Sequence, residues 1–121
     1  MKGYTDSKGR FRPIGKKKDF NRTNIKKVPT TSGVYLFFSK TGKPIYVGVS
    51  KKAKYANLRH RLESYNEKDS FSAHPTKKQL RKNIKKFSYE VVPISEARRI
   101  EKINKGNMQF NRDHNIGTWK R

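Results

Sequence analysis

The sequence predicts a small α/β (α+β) domain: a three-stranded antiparallel sheet flanked by helices, in the order β-β-α-α-β-α. Three observations predict it. Residues 32–50, "SGVYLFFSKTGKPIYVGVS", are poor in charge and rich in strand formers, with turn residues in the middle. Two segments, around residues 56–65 and 75–87, repeat apolar residues at helical spacing. A third strand, "SYEVVPI", then runs into a helix expected from Glu96 to about Lys105, capped by Ser95 and ended by Gly106.

Each element has a local reason. Residues 34–38 and 45–49 are separated by "SKTGK", where Gly42 supplies the flexible turn position, so they form a β-hairpin. Side chains alternate along a strand, which puts Val34, Leu36 and Phe38 on one face and Tyr35 and Phe37 on the other. On the return strand Tyr46 and Gly48 oppose Ile45, Val47 and Val49, so one face is expected to be buried while the other presents tyrosine beside glycine. In "ANLRHRLESY", Leu58 and Leu62 make an inward stripe, and Arg61 and Tyr65, also four apart, run along its side. The second helix opens with Pro75, turns Leu80, Ile84 and Phe87 inward, and carries Lys77, Lys78, Arg81, Lys82, Lys85 and Lys86 on its remaining face. That face is either a ridge for a polyanion or a solvated surface.

At 121 residues the length fits one domain. Residues 1–27, with Gly3, Gly9, Gly15, Pro13 and many cations, show no apolar period and are expected to be a basic, flexible arm. The domain proper is expected over residues 28–112, followed by a basic tail over 113–121. Thirty-one Lys and Arg against nine Asp and Glu give a formal charge of +22. Such a charge makes the chain repel itself unless a polyanion is its partner. Nucleic acid fits, because each Lys or Arg on a phosphate releases condensed counterions. An acidic membrane fits less well, since no amphipathic helix with bulky apolar residues is evident. There is no cysteine, which excludes disulfides and thiolate metal sites, and the three histidines are scattered. No apolar run approaches the roughly 18 residues of a membrane span, and the N-terminus lacks a signal-peptide core. The expectation is a soluble, intracellular, cytoplasmic protein.

Cations are so frequent here that the nine acids discriminate better between candidate sites. Most lie in the arm, in polar loops, or where a carboxylate simply complements a helix dipole, as Glu96 does. Glu101 differs: Ala97, Ile100 and Asn104 define the inward face of its helix and place it at the edge of that face. A partly shielded carboxylate needs a partner, either an arginine in a salt bridge or a divalent cation.

"GVY" (33–35), "YVG" (46–48), "LRHRLESY" (58–65), "SEARRIE" (95–101) and "FN" (110–111) resemble, in order, the motifs of the GIY-YIG nuclease domain over roughly residues 28–111. The set is most similar to the nuclease module of the bacterial nucleotide-excision-repair incision subunit. In length the chain resembles small stand-alone members of phage or mobile elements. The resemblance implies a metal-dependent DNA endonuclease that hydrolyses phosphodiester bonds in duplex, branched or damaged DNA, with one Mg2+ or Mn2+ and no small-molecule cofactor. It implies that Glu101 holds the metal, that Tyr35 helps deprotonate the attacking water, and that Tyr46 orients that water or the phosphate. Arg61 would bind the phosphate, Tyr65 would assist beside it, Asn111 would brace the site, and Gly48 would leave room for the substrate backbone. Lys51, Lys52, Lys54, Arg59, Lys77, Lys78, Arg81 and Lys82 would contact the nucleic acid. Arg59 flanks the leucine stripe on its other side and is the alternative to Arg61, which the "RLxSY" match favours. Tyr35 and Tyr46 also have a structural reading, as cross-strand packing partners.

The sequence departs from the family pattern in three places. Val49 stands where many members carry Lys after the second glycine motif, so Lys51, Lys52 or Lys54 would have to replace that cation. The stretch before Arg61, "VSKKAKYANLRH", is longer than in the repair relatives. No proline shortly precedes "FN". These departures support the alternative of a catalytically weak or inactive binding module with the same fold.

Overall fold

The computed structural model describes residues 3–5, 8–13, 16–66 and 75–108. In chain order the elements are β1 (Gly3–Thr5), β2 (Phe11–Pro13), β3 (Lys18–Asp19), α1 (Arg22–Ile25), β4 (Gly33–Phe38), β5 (Pro44–Ser50), α2 (Leu58–Asn66), α3 (Pro75–Asn83), β6 (Lys86–Val91) and α4 (Ile94–Asn104), the last running into a 3-10 turn over Lys105–Asn107. From β4 onward this is the β-β-α-α-β-α order expected from the sequence.

The sheet has four strands rather than three, in the antiparallel order β3-β6-β4-β5. The extra strand comes from the segment read as a flexible arm. It was invisible to patterning because its two residues are Lys and Asp. Backbone pairing holds it, with Lys18 opposite Phe87, Asp19 opposite Lys86, and Phe20 N donating to the Lys85 carbonyl at 3.0 Å. The Lys86–Asp19 ion pair at 2.9 Å is largely exposed and adds little. The same segment supplies Phe20, packed edge-on against Phe37 and Phe87 at centroid distances of 5.4 and 6.1 Å, and the buried Ile25 of α1. Residues 16–27 are therefore part of the folded unit. The expected tail over 113–121 lies outside the described residues.

β4 lies in the middle of the sheet and is buried on both faces. Tyr35 and Phe37 join Leu58, Leu62, Leu80 and Phe87 beneath α1, α2 and α3. Val34, Leu36 and Phe38 join Val47, Ala97 and Ile100 beneath α4. The alternation read from the sequence is correct, but no face of the hairpin is left open. A register shift between Phe37 and Phe38 lets both Ile45 and Tyr46 enter the first cluster. The turn is as expected: Gly42 adopts φ 86° and its N–H donates to the Ser39 carbonyl at 2.8 Å.

Three boundaries differ from the sequence reading. Phe87 belongs to β6, because α3 ends at Asn83 and Lys85 N turns to the Phe38 carbonyl at 2.8 Å. α4 starts at Ile94 with Pro93 in the N-cap position, so Ser95 lies inside the helix instead of capping it. α2 starts at Leu58, capped by the buried Asn57, whose Oδ1 accepts from His60 N at 2.9 Å. The Asn57 amide also donates to the Ala53 and Lys54 carbonyls at 2.9 and 3.1 Å, which closes the long loop after β5. One side chain thus caps the helix and fixes the loop. Asn57→Ala is expected to lower stability by about 2 kcal/mol, the loss of a cap plus two loop bonds, measured by urea denaturation.

A second buried amide performs a similar task at the other end of the chain. Asn104 on α4 accepts from Thr5 N at 2.8 Å and donates to the Thr5 and Ile100 carbonyls, both at 2.7 Å. This clamps the β1–β2 hairpin onto α4.

Candidate active site

β5 is an edge strand, and the candidate site forms along it where helices from the two faces meet. Tyr35, on the neighbouring β4, pairs with Gly48 of β5. Its ring lies over that glycine: a Cβ at Gly48 would overlap Cζ and Oη of Tyr35 and sit 2.7 Å from Cε1. The missing side chain makes room for the tyrosine itself. The gap expected to admit substrate backbone is filled by Tyr35.

Tyr46 of β5 and Tyr65 of α2 complete a triad of rings. Centroid distances are 6.3 Å for Tyr35–Tyr46, 6.3 Å for Tyr35–Tyr65 and 6.1 Å for Tyr46–Tyr65. Their relative exposures are only 2%, 3% and 4%, so these rings are part of the core. The hydroxyls are not inert, however. Tyr65 shares side-chain hydrogen bonds with both others, and these favour phenolate on Tyr65 and neutral phenol on Tyr35 and Tyr46. Each hydroxyl can donate or accept, so the Tyr65 oxygen links the other two.

Burial holds the Tyr35 and Tyr46 phenols well above the ordinary tyrosine range, reinforced by Tyr65 and Glu101. Burial also raises Tyr65, opposed by the two hydrogen bonds and by Arg61. A raised phenol keeps its proton in the folded state after the unfolded chain has lost it. Stability is thus unaffected below pH ~10 and falls as pH rises beyond it, by up to about 1.4 kcal/mol per pH unit for each such group. The expected result is cooperative alkaline unfolding in which circular dichroism is lost together with the rise of tyrosinate absorbance. Tyrosinate appearing for all six tyrosines before the fold is lost would contradict it.

Arg61 and Glu101 reach this triad from opposite sides. Arg61 is on the exposed side of α2, and its charge acts on Tyr35, on Tyr65 and on Glu101. Glu101 is half-buried on α4, which packs against β4 and β5, and its charge acts on all three tyrosines. Burial pushes the Glu101 carboxyl up, while Lys105, Arg98 and Arg61 pull it down. No salt bridge reaches Glu101 among the described residues. Nor do those residues contain a group of three or more His, Asp or Glu able to enclose a metal. A shielded carboxylate without an ion-pair partner among the described residues fits a hard divalent cation that keeps most of its ligands as water.

The other expected contacts divide by environment. Arg59 Nε donates to the Val28 carbonyl at 2.7 Å, which ties this side chain to the loop before β4. Arg81 donates to the Asn66 carbonyl at 3.3 Å and lies over the Phe20 ring at 5.7 Å, so it is tied into the fold rather than into a ridge. Lys51, Lys52, Lys54 and Lys82 are exposed. The side chains of Lys77 and Lys78, and the whole of Asn111, lie outside the described residues. Val49, opposite Val34, packs on the α4 side of the sheet, away from the tyrosine face. Asn57 was missed in the sequence, although a cap residue ahead of the "LRHRLESY" helix was a readable signal.

A family model of the UvrC-like GIY-YIG domain matches residues 31–104. The chain belongs to this family. The crystal structure of the GIY-YIG N-terminal endonuclease domain of UvrC from Thermotoga maritima, bound to magnesium as its catalytic divalent cation, is 29% identical with a TM-score of 0.59, covering 74% of this chain and 93% of that one. A point mutant of the same domain with tyrosine replaced by phenylalanine, also cation-bound, is 28% identical with a TM-score of 0.58, covering 74% and 92%. No curated protein sequence matches. The GIY-YIG module thus accounts for the sheet from β4 onward, α2, α3 and α4, whereas β1, β2, β3 and α1 precede the matched residues.

Proposed function

We propose that this GIY-YIG protein is a metal-dependent DNA endonuclease that hydrolyses phosphodiester bonds one strand at a time. The observation that carries the reading is a packed tyrosine triad at the sheet's edge strand, flanked by helices on opposite faces that carry Arg61 and Glu101, whose charges act on it. The relatives' magnesium and the charge of +22 agree with it.

Glu101 would hold one Mg2+ or Mn2+. When bound, such an ion polarises the scissile phosphate and lowers the pKa of nearby water. The remaining roles belong to the chain. Arg61, free to move at the surface, clamps a phosphate oxygen and stabilises the charge that grows on it. Tyr35 is hydrogen-bonded to Tyr65, and its hydroxyl oxygen keeps a lone pair that can accept from the attacking water. Because burial holds its phenol neutral, Tyr35 orients the water as a hydrogen-bond acceptor; to act as a base it would first have to release its own proton to solvent, a loss that nearby positive charge favours, and the resulting phenolate would then take the proton of the water. Tyr46 is fixed in the same way beside it, and Tyr65 keeps both hydroxyls in register. Asn111 would brace the site. The exposed Lys51, Lys52, Lys54 and Lys82 would follow the DNA backbone, and a cytoplasmic site of action would suit that substrate.

The test is nicking of supercoiled plasmid by purified protein with Mg2+ or Mn2+, alongside EDTA. Nicking that depends on the cation is expected. Tight DNA binding with no cleavage of any duplex, branched or damaged substrate would instead identify a binding module.

A further inference from the structure

Tyr55 is the most exposed large hydrophobic side chain among the described residues, at 68%. It lies in the loop between β5 and α2, and that loop is not slack. Lys51 N donates to the Ala56 carbonyl at 2.9 Å, and the buried Asn57 amide binds the Ala53 and Lys54 carbonyls on either side of the loop tip. A braced loop that holds an aromatic ring in water gains nothing by burial and forgoes the stabilisation that burying the ring would give. The ring's neighbours are polar: Lys54 Nζ is 5.3 Å from its centroid, and the His60 ring meets it edge-on at 5.5 Å. Lys51, Lys52 and Lys54 surround it with exposed positive charge.

Its position relative to the cutting site follows from the chain. His60 is the residue before Arg61, and Lys51 comes three residues after Gly48, about 10 Å along a strand. The ring, which meets His60, therefore borders the helix turn that carries Arg61. Lysines beside an exposed ring on a fixed loop are the two elements of single-strand recognition: charge for the backbone and a flat face for an unstacked base.

We propose that Tyr55 is a stacking platform for an unpaired nucleobase, and that it directs the nuclease to DNA that is unpaired or distorted near the cut. This rests on the endonuclease reading and names its substrate class. A fully stacked duplex offers no base face to the ring, so the contribution of Tyr55 is confined to substrates with an unpaired base.

The experiment compares the protein with Tyr55→Ala and Tyr55→Phe, using a fully paired duplex and the same duplex carrying one unpaired 2-aminopurine near the cleavage position. Tyr55→Ala is expected to bind and cut the unpaired substrate about tenfold more weakly while matching wild type on the paired duplex. Tyr55→Phe is expected to retain wild-type behaviour and the quenching of 2-aminopurine fluorescence that reports stacking. The substitutions are on the surface, so folding is unaffected. Equal losses on both substrates, no loss on either, or a Phe variant as weak as Ala would overturn the proposal while wild-type plasmid nicking leaves the endonuclease reading intact. A wild-type protein that neither binds nor cuts DNA would overturn both.

Discussion

Glu101→Gln is expected to reduce cation-dependent plasmid nicking at least a hundredfold, on the order of the loss seen when an electrostatic stabiliser is removed, without lowering the melting temperature. The two outcomes have one cause. Burial raises the Glu101 carboxyl, so its charge is held at a cost to the fold, and no salt bridge among the described residues offsets that cost. Glutamine keeps the shape and removes the charge, so the fold loses nothing while the shielded acid proposed to hold the metal is gone. A salt-bridge role predicts the reverse, with a lower melting temperature and nicking preserved. Arg61→Ala separates the roles further. Its side chain is exposed on α2, so its removal is expected to cost activity by a similar factor with stability unchanged. Full nicking by either variant would rule out the proposed roles.

The parts of this site that were legible in the sequence are those fixed by local periodicity. Strand alternation separated Tyr35 and Phe37 from Val34, Leu36 and Phe38, and the two core clusters keep that division. Helical spacing placed Glu101 at the edge of an inward face, and it is half-buried. What was not legible depends on contacts distant in the chain. The tyrosine face was expected to be open, yet α1, α2 and α3 cover it, and Phe20 from the supposed arm packs on its rings. β3 could not be seen because backbone hydrogen bonds, rather than side chains, hold Lys18 and Asp19 to β6. Arg59 and Arg61 could not be separated by pattern alone. A bond from Arg59 to the Val28 carbonyl, thirty-one residues away, distinguishes their surroundings, since Arg61 is exposed on α2. Val49 looked like a missing cation in the sequence, and here it is a packing residue of the α4 core.

Gly48→Ala carries the other large expected effect, and it concerns both the fold and the site. Gly48 lies opposite Tyr35, and an added methyl would occupy the space of the tyrosine's Cζ and Oη. The conflict is with a rigid ring, not with the end of a flexible chain. The ring has little room to give way, since Phe37, Tyr46 and Tyr65 all lie against it, with centroids 5.2 to 6.3 Å away. Either β5 shifts away from β4 or Tyr35 leaves its rotamer and gives up its bond to Tyr65. Both cost about 1–3 kcal/mol by overpacking, and both displace the Tyr35 hydroxyl, to which the proposed mechanism gives the attacking water. The expected result is a clear fall in urea midpoint together with loss of nicking. Tyr35→Phe is the contrasting variant, because it keeps the ring and removes only the hydroxyl. It is expected to retain most of the stability, losing about 1 kcal/mol for the hydrogen bond to Tyr65, while losing activity. The double variant Gly48→Ala with Tyr35→Ala decides whether the clash is the cause. If it is, removing the ring makes the alanine at 48 harmless, and the two stability losses fall well short of adding. If the losses simply add, glycine at 48 is required for a reason other than the tyrosine that lies on it.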